Sequence, residues 1–340
     1  MKKNVYMRLA CLLAGLLLAS SSYAGVTVSE LGCSEFGGDK FGGTNGNAIN
    51  EIGHIAGMIG SHAGFIIPGD TCQDLGSHAG YIWSIAYDIN DFDQVVGVVP
   101  FGSSRWLGFI WSTGQGMTYL DFQNAAWANG INNAGQVVGK YRAETERAFI
   151  WDNIHGVRDL GALPGGNRSS ANDINENGET VGWSESSQGL RPCLWTEAGG
   201  MQDLGTLPGT FWCEASKINN AGQVIGTCNT CPIGQFTGEC DTLYFIWTMG
   251  SGMQVLPVPG PIGSINDLGD VVGSFRAPSG YYHAYLWNRS EGTIDLGILV
   301  GDNINTRADG INNERQVVGS HLWTVTSPFS LASTNVLREN

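Results

Sequence analysis

Ile131-Asn132-Asn133-Ala134-Gly135-Gln136-Val137-Val138-Gly139 is one copy of a phrase that the chain writes seven times. The other copies run from Ile49 to Gly57, Ile89 to Gly97, Ile174 to Gly182, Ile218 to Gly226, Ile265 to Gly273 and Ile311 to Gly319. Their asparagines (Asn50, Asn90, Asn132, Asn175, Asn219, Asn266 and Asn312) follow one another at 40, 42, 43, 44, 47 and 46 residues. Self-similarity at that period marks stacked supersecondary units, none of which can bury its apolar surface alone.

The fourth repeat resolves into four short strands, a to d. Strand a ends at Ile174-Asn175, strand b is Thr180-Val181-Gly182, strand c is Cys193-Leu194-Trp195, and strand d leads into Asp203-Leu204-Gly205. The Asn-x-x-Gly link between a and b supplies residues that tolerate the positive φ of a tight hairpin. Several strands are apolar on both faces, as in Phe149-Ile150-Trp151 and Phe245-Ile246-Trp247, so each needs a neighbour on either side. Helical periodicity is absent after the leader. An all-β, seven-bladed β-propeller of four-stranded blades is predicted; an elongated solenoid would use shorter units, of about 20–30 residues. The last repeat reaches His321-Leu322-Trp323 and has no Asp-Leu-Gly strand, whereas Val26 to Leu31 reads as a spare strand d. Closure of the ring by that N-terminal strand, beside Leu322-Trp323, removes the exposed sheet edges.

Residues 1–24 read as a signal peptide: Lys2, Lys3 and Arg8 precede the apolar run Leu9 to Ala19, and Ser22-Tyr23-Ala24 offers a cleavage site. Residues 25–326 are assigned to the propeller and 327–340 to a C-terminal tail. Removing the leader leaves 14 basic against 31 acidic residues, a net charge of −17. That balance disfavours nucleic acid and anionic membrane as partners and suits a soluble monomer, secreted or periplasmic.

Arg147-Ala148-Phe149-Ile150-Trp151, His283-Ala284-Tyr285-Leu286-Trp287 and the stretch from Met201 to Gly209, together with the Ile-Asn-Asn-Ala-Gly-Gln-Val-Val-Gly phrase, resemble the HAF repeat of bacterial proteins thought to be extracellular. The resemblance covers nearly all of the mature chain. Pro192-Cys193 replaces the His-Ala-Phe element in the fourth repeat. It implies export and a repeat architecture, and transfers no catalytic activity.

Asp88, Asn90, Asp173, Asn175 and Asn177 place side-chain oxygens at alternate positions, as calcium loops do. Gly130, Lys217, Ser264 and Gly310 stand where the leading Asp would be, so a structural turn explains all seven copies and calcium is the alternative. No other cofactor is expected. Cys213 and Cys228 face each other across the a–b hairpin, Cys231 and Cys240 bracket an insertion, and Cys33 with Cys72 remains by elimination. Three thiolates, Cys228, Cys231 and Cys240, could instead hold zinc. Cys193, at the aromatic position of strand c, is expected to be a buried free thiol.

No nucleophile elbow, His-Glu-x-x-His or phosphate loop is present. A secreted binding propeller without catalytic activity is therefore expected, recognising glycan or protein. The alternative is a polysaccharide-active hydrolase or lyase with two carboxylates from different blades. The a–b and c–d turns are monotonous, whereas the d–a and b–c loops carry Arg105, Trp106, Trp127, Tyr141, Arg142, Arg168, Trp212, Arg276, Tyr281 and Arg307. Aromatic rings there offer flat surfaces, and the arginines offer bidentate bonds to carboxylate or sulfate.

Overall fold

The computed structural model describes residues 26–30, 44–102, 105–120, 125–233, 240–297, 303–322, 332–333 and 335–339. The expected signal peptide, Cys33 and Trp323 lie outside them. The fold is a β-propeller of four-stranded antiparallel blades, with no α-helix among the described residues. The chain divides into two compact units, Ser77–Val258 and Met1–Gly76 with Pro259–Asn340.

Strand β1 is Val26–Glu30. The first four-stranded sheet is β2 (Thr44–Ile49), β3 (Ile55–Ile59), β4 (His62–Ile67) and β5 (Thr71–Gly76). The second is β6 (Ile85–Ile89), β7 (Val95–Phe101), β8 (Arg105–Ser112) and β9 (Gly116–Tyr119). The third is β10 (Ala126–Ile131), β11 (Val137–Arg142), β12 (Glu146–Asp152) and β13 (Gly156–Gly161). The fourth is β14 (Ser169–Ile174), β15 (Thr180–Ser186), β16 (Gly189–Thr196) and β17 (Gly200–Asp203). The fifth is β18 (Trp212–Ile218), β19 (Val224–Asn229), β20 (Thr242–Thr248) and β21 (Gly252–Val255). The sixth is β22 (Ile262–Ile265), β23 (Val271–Arg276), β24 (Tyr282–Asn288) and β25 (Gly292–Asp295).

The expectation of seven such blades is corrected: six sheets have this plan and the last repeat does not. Its own strands are β26 (Asn305–Ile311) and β27 (Val317–Leu322), joined by β28 (Ala332–Ser333) and β29 (Asn335–Glu339). The order is β1-β29-β27-β26, with β28 beside β27. Strand c was expected at His321-Leu322-Trp323. Strands b elsewhere run five to seven residues, as in Ile55–Ile59 and Val95–Phe101, so His321 and Leu322 still belong to β27. The expected C-terminal tail supplies β29, and β1 pairs with it, Val26 opposite Glu339 and Glu30 opposite Asn335.

Hydrophobic clusters lie between successive sheets, as the two-faced apolar strands require. One joins Val138, Ala148, Ile150 and Leu160 to Ala171 and Ile174; another joins Val181, Leu194, Leu204 and Leu207 to Ala215, Ile218, Val224 and Phe245. Strand a carries one extra residue in every sheet, for example between Ala128 and Gly130 and between Ala215 and Lys217. That bulge brings strand a's backbone against strand b. A Cβ added at Gly139 would overlap the carbonyl oxygen of Trp127, and one at Gly226 that of Glu214, which is why the Val-Val-Gly phrase ends in glycine.

The anchor asparagine does more than turn the chain. Asn175 is 4% exposed; its Oδ1 accepts from the backbone N–H groups of Asn177 (3.0 Å) and Glu179 (2.9 Å). Its Nδ2 donates to Glu179 Oε2 (2.7 Å) and to the carbonyl of Asn219 in the next sheet (3.1 Å). In the same unit Asn90 reaches the carbonyl of Asn132, and Asn132 that of Asn175; in the other unit Asn266 reaches Asn312, and Asn312 reaches Asn50. The positive φ falls three residues later, on Gly135, Gly178 or Gly222, and on Asp93 and Arg315 where no glycine is present.

A second device clasps strands c and d. His62–Asp74 (2.8 Å), Arg147–Asp159 (3.2 Å), Arg191–Asp203 (3.2 Å) and His283–Asp295 (2.9 Å) are each twelve residues apart. The Asp also accepts from the glycine two residues on, at 2.7–2.9 Å. Where strand c has Leu107 or Leu243 instead of His or Arg, the residue twelve later is Tyr119 or Val255. The His or Arg and its Asp are present or absent together.

The Cys213–Cys228 and Cys231–Cys240 disulfides form as expected, and Cys193 is free and buried, its thiol pushed up to about 12 by burial and by the Asp203 charge. Cys213 pairs with Cys228 although Ile218 pairs with Val224, because the strand-a bulge absorbs the one-residue difference. Cys72 is disulfide-bonded. Disulfides fit an oxidising compartment.

Candidate functional site

Within the unit Ser77–Val258, the d–a and b–c ends of the fourth and fifth sheets enclose a cleft of about 760 Å³. Pockets that hold small ligands are typically about 300–1,000 Å³. Arg168 and Gly166 come from the connection into β14, Trp183 and Glu185 from β15, Leu190 from β16, and Trp212 and Glu214 from β18. Ile233, within the segment stapled by Cys231–Cys240, completes one wall. Strand pleating sets the pattern: Trp183 and Glu185, like Trp212 and Glu214, are two residues apart and therefore share a face.

Arg168 is firmly held. It meets Glu146 at 2.9 Å and Glu185 at 3.3 Å, and its guanidinium carbon lies 5.7 Å from the Trp183 ring centroid. The Glu146 bond is the main reason that the guanidinium's affinity for its proton is raised. Glu146 also receives Lys140 at 3.0 Å; burial works to raise its pKa, but Arg168 and Lys140 together bring it below the usual range. Glu214 differs. It is half-buried, has no side-chain partner among the described residues, and burial alone pushes its pKa up.

A tryptophan stripe lies nearby in the same unit. Trp106 packs on Trp83 at 4.5 Å and on Trp127 at 6.4 Å, and Lys140 Nζ sits 5.1 Å from the Trp127 ring. Arg105 covers Phe101 at 5.6 Å. Tyr141 donates to Asp159, and its own pKa is raised by burial and by that carboxylate. Arg142 is exposed, with no side-chain partner among the described residues. In the other unit, Arg276 donates to the Gly280 carbonyl at 3.4 Å, Arg307 pairs with Asp309 at 2.7 Å, and Tyr281 sits just before β24.

Of the ten predicted face residues, the cleft thus gathers Arg168 and Trp212, while Trp106 and Trp127 join the stripe. Trp183, Glu185 and Glu214 were not singled out from sequence. A signal existed for Trp183: it follows Val-Gly where other repeats have Met58, Val98, Lys140, Thr227, Ser274 or Ser320.

The calcium expectation takes another form. Asp88 accepts from Ile131 N–H and Asp173 from Ile218 N–H, each at 2.9 Å, and Lys217 Nζ lies 3.3 Å from Asp173. The Asn90 and Asn175 oxygens accept backbone N–H groups, and Asn177 donates to the Asn220 carbonyl. Among the described residues no three His, Cys, Asp or Glu gather as metal ligands. Burial holds the Asp88 carboxyl up to about 6; Lys217 opposes this shift and the Asp173 charge adds to it.

No family model matches the chain, and no curated protein matches it. Among solved structures the chain is similar to TolB from Acinetobacter baumannii, with a TM-score of 0.49 and 12% identity, covering 68% of this chain and 58% of that one. It is also similar to a gluconolactonase from Xanthomonas campestris (TM-score 0.40, 12% identity, 77% and 90% covered). A third similar structure is AofleA from Arthrobotrys oligospora (TM-score 0.42, 12% identity, 73% and 81% covered). At 12% identity none of these transfers a role.

Proposed function

We propose that the protein is an exported, monomeric binding propeller of the HAF-repeat type that recognises a glycan through the cleft beside Trp183 and Trp212. What supports the glycan reading is the cleft itself, where two tryptophans meet a few polar groups, since the face of a sugar ring stacks on an aromatic plane while its hydroxyls take hydrogen bonds. The face arginines are expected to capture anions, but Arg168 is already neutralised by Glu146 and Glu185. A neutral or cationic sugar therefore suits the cleft better than a sulfated or uronic one.

A glycan array read with wild type, Trp183→Ala and Trp212→Ala tests this reading. Binding that disappears in both variants supports it; array binding indifferent to both moves the site elsewhere.

One observation favours polysaccharide cleavage as a second reading. Glu185 and Glu214 line the same cleft in unlike settings, one ion-paired and the other without a partner among the described residues. Carboxyls held in unlike environments can divide acid and base roles. Release of new reducing ends from a bound oligosaccharide, lost in Glu214→Gln, would establish it.

A further inference from the structure

We infer that the sugar this cleft takes carries a free ammonium group, and that the amine seats on Glu214. The inference rests on the glycan reading and adds the ligand's charge. Three observations lead to it. First, the cleft's cation is not available: Arg168 has a carboxylate on two sides and the Trp183 ring beneath it. An incoming anion would have to displace Glu185 or Glu146.

Second, Glu214 is the one carboxyl of the cleft left without a partner among the described residues. It leaves strand β18 two residues after Trp212, on the same face, so a ring stacked on that indole presents its substituents to the carboxyl. A half-buried carboxylate with no partner is costly, and its raised pKa expresses that cost. A ligand ammonium relieves it directly, by a charge-assisted hydrogen bond in a partly desolvated setting. A hydroxyl relieves it less.

Third, Trp212 has no cation stacked on it among the described residues, unlike Trp183 under Arg168 and Trp127 under Lys140. Its ring remains for the ligand, and an ammonium-bearing ring gains from the π face as well as from the carboxylate.

The test is calorimetric titration of the whole protein with three tetrasaccharides of the same β-1,4 linkage: the glucosamine tetramer, the N-acetylglucosamine tetramer and cellotetraose, in mildly acidic buffer that keeps the amines protonated. The glucosamine tetramer should bind about tenfold or more tightly than the other two, as expected when a charged hydrogen bond replaces a neutral one. Glu214→Gln, checked for an unchanged melting temperature, should bring the three to similar affinity. Equal binding of all three by wild type, or a preference that survives Glu214→Gln, overturns the amine assignment and leaves the glycan reading standing. If the variant does not fold, the wild-type ranking decides alone. Binding to none of the three overturns both.

Discussion

The two ends of the strands in the unit Ser77–Val258 obey different rules. At the a–b end, Asn90, Asn132, Asn175 and Asn219 are buried and each accepts from the backbone N–H four residues on. At the d–a and b–c end, the residue matching Trp212 is Trp83 in the second sheet, Ala125 in the third and Arg168 in the fourth. Repetition at one end holds the sheets in register. Variation at the other, on the same scaffold, makes one inter-sheet gap into a cleft lined by two tryptophans. A repeat protein separates the two demands by position along the strand.

The comparison breaks most visibly at the anchor. Asn175→Ala removes four hydrogen bonds and leaves the Asn177 and Glu179 N–H groups without their acceptor, while the Asn219 carbonyl keeps the Gly222 N–H. At about 1 kcal/mol net for each hydrogen bond lost, a loss of about 3 kcal/mol is expected, measured by urea unfolding. Arg142→Ser, at the variable end and exposed, should stay within about 0.5 kcal/mol. Similar losses for both would mean that the two ends do not divide as described.

The Asp88–Lys217–Asp173 cluster sharpens the contrast through pH. The folded Asp88 carboxyl keeps its proton to about pH 6, above its ordinary value of 3.8, so between those values the folded state binds more protons than the unfolded one. Stability from this group therefore falls as pH rises through that window, and stays lower at neutral pH. Asp88→Asn keeps an acceptor for Ile131 N–H and removes the charge; it should stabilise the protein on the order of 2 kcal/mol at neutral pH and little near pH 4. Thermal melts at both pH values check the difference. A variant less stable than wild type at neutral pH would contradict it.

The strand c–d clasp gives the smallest expected effect. Asp203→Val alone removes the Arg191 ion pair, leaving the guanidinium its bonds to Gln188 and Thr206, and frees the Gly205 N–H, at about 1 kcal/mol. Adding Arg191→Leu copies the Leu243 and Val255 pattern of the fifth sheet and should recover most of that loss. No recovery in the double variant's denaturation midpoint would mean that the twelve-residue pairing is incidental.

Much of this was legible in the sequence, for reasons that differ by element. The blades were, because each must repeat its apolar strands and its glycine to stack. The last sheet was not, because Asn335–Glu339 carries none of the motif and enters strand c's place only by pairing. The clasp was present as a spacing of twelve, yet the Asp of Asp-Leu-Gly reads locally as a turn. The role of Asn175 depends on a carbonyl 44 residues away, which no local pattern indicates. Arg168 and Trp212 stood out as loop residues, but the carboxylates that neutralise Arg168 lie 22 and 17 residues away in sequence and meet it only in the fold.

The most direct test is fluorine NMR of protein labelled with 5-fluorotryptophan, titrated with the glucosamine tetramer. The chain has 11 tryptophans, and Trp183→Phe, Trp212→Phe and Trp106→Phe identify the resonances that matter. Saturable shifts confined to Trp183 and Trp212 are the expected result. Shifts at Trp106 and its neighbours Trp83 and Trp127, with Trp183 and Trp212 unmoved, would place the ligand on the stripe and contradict the cleft.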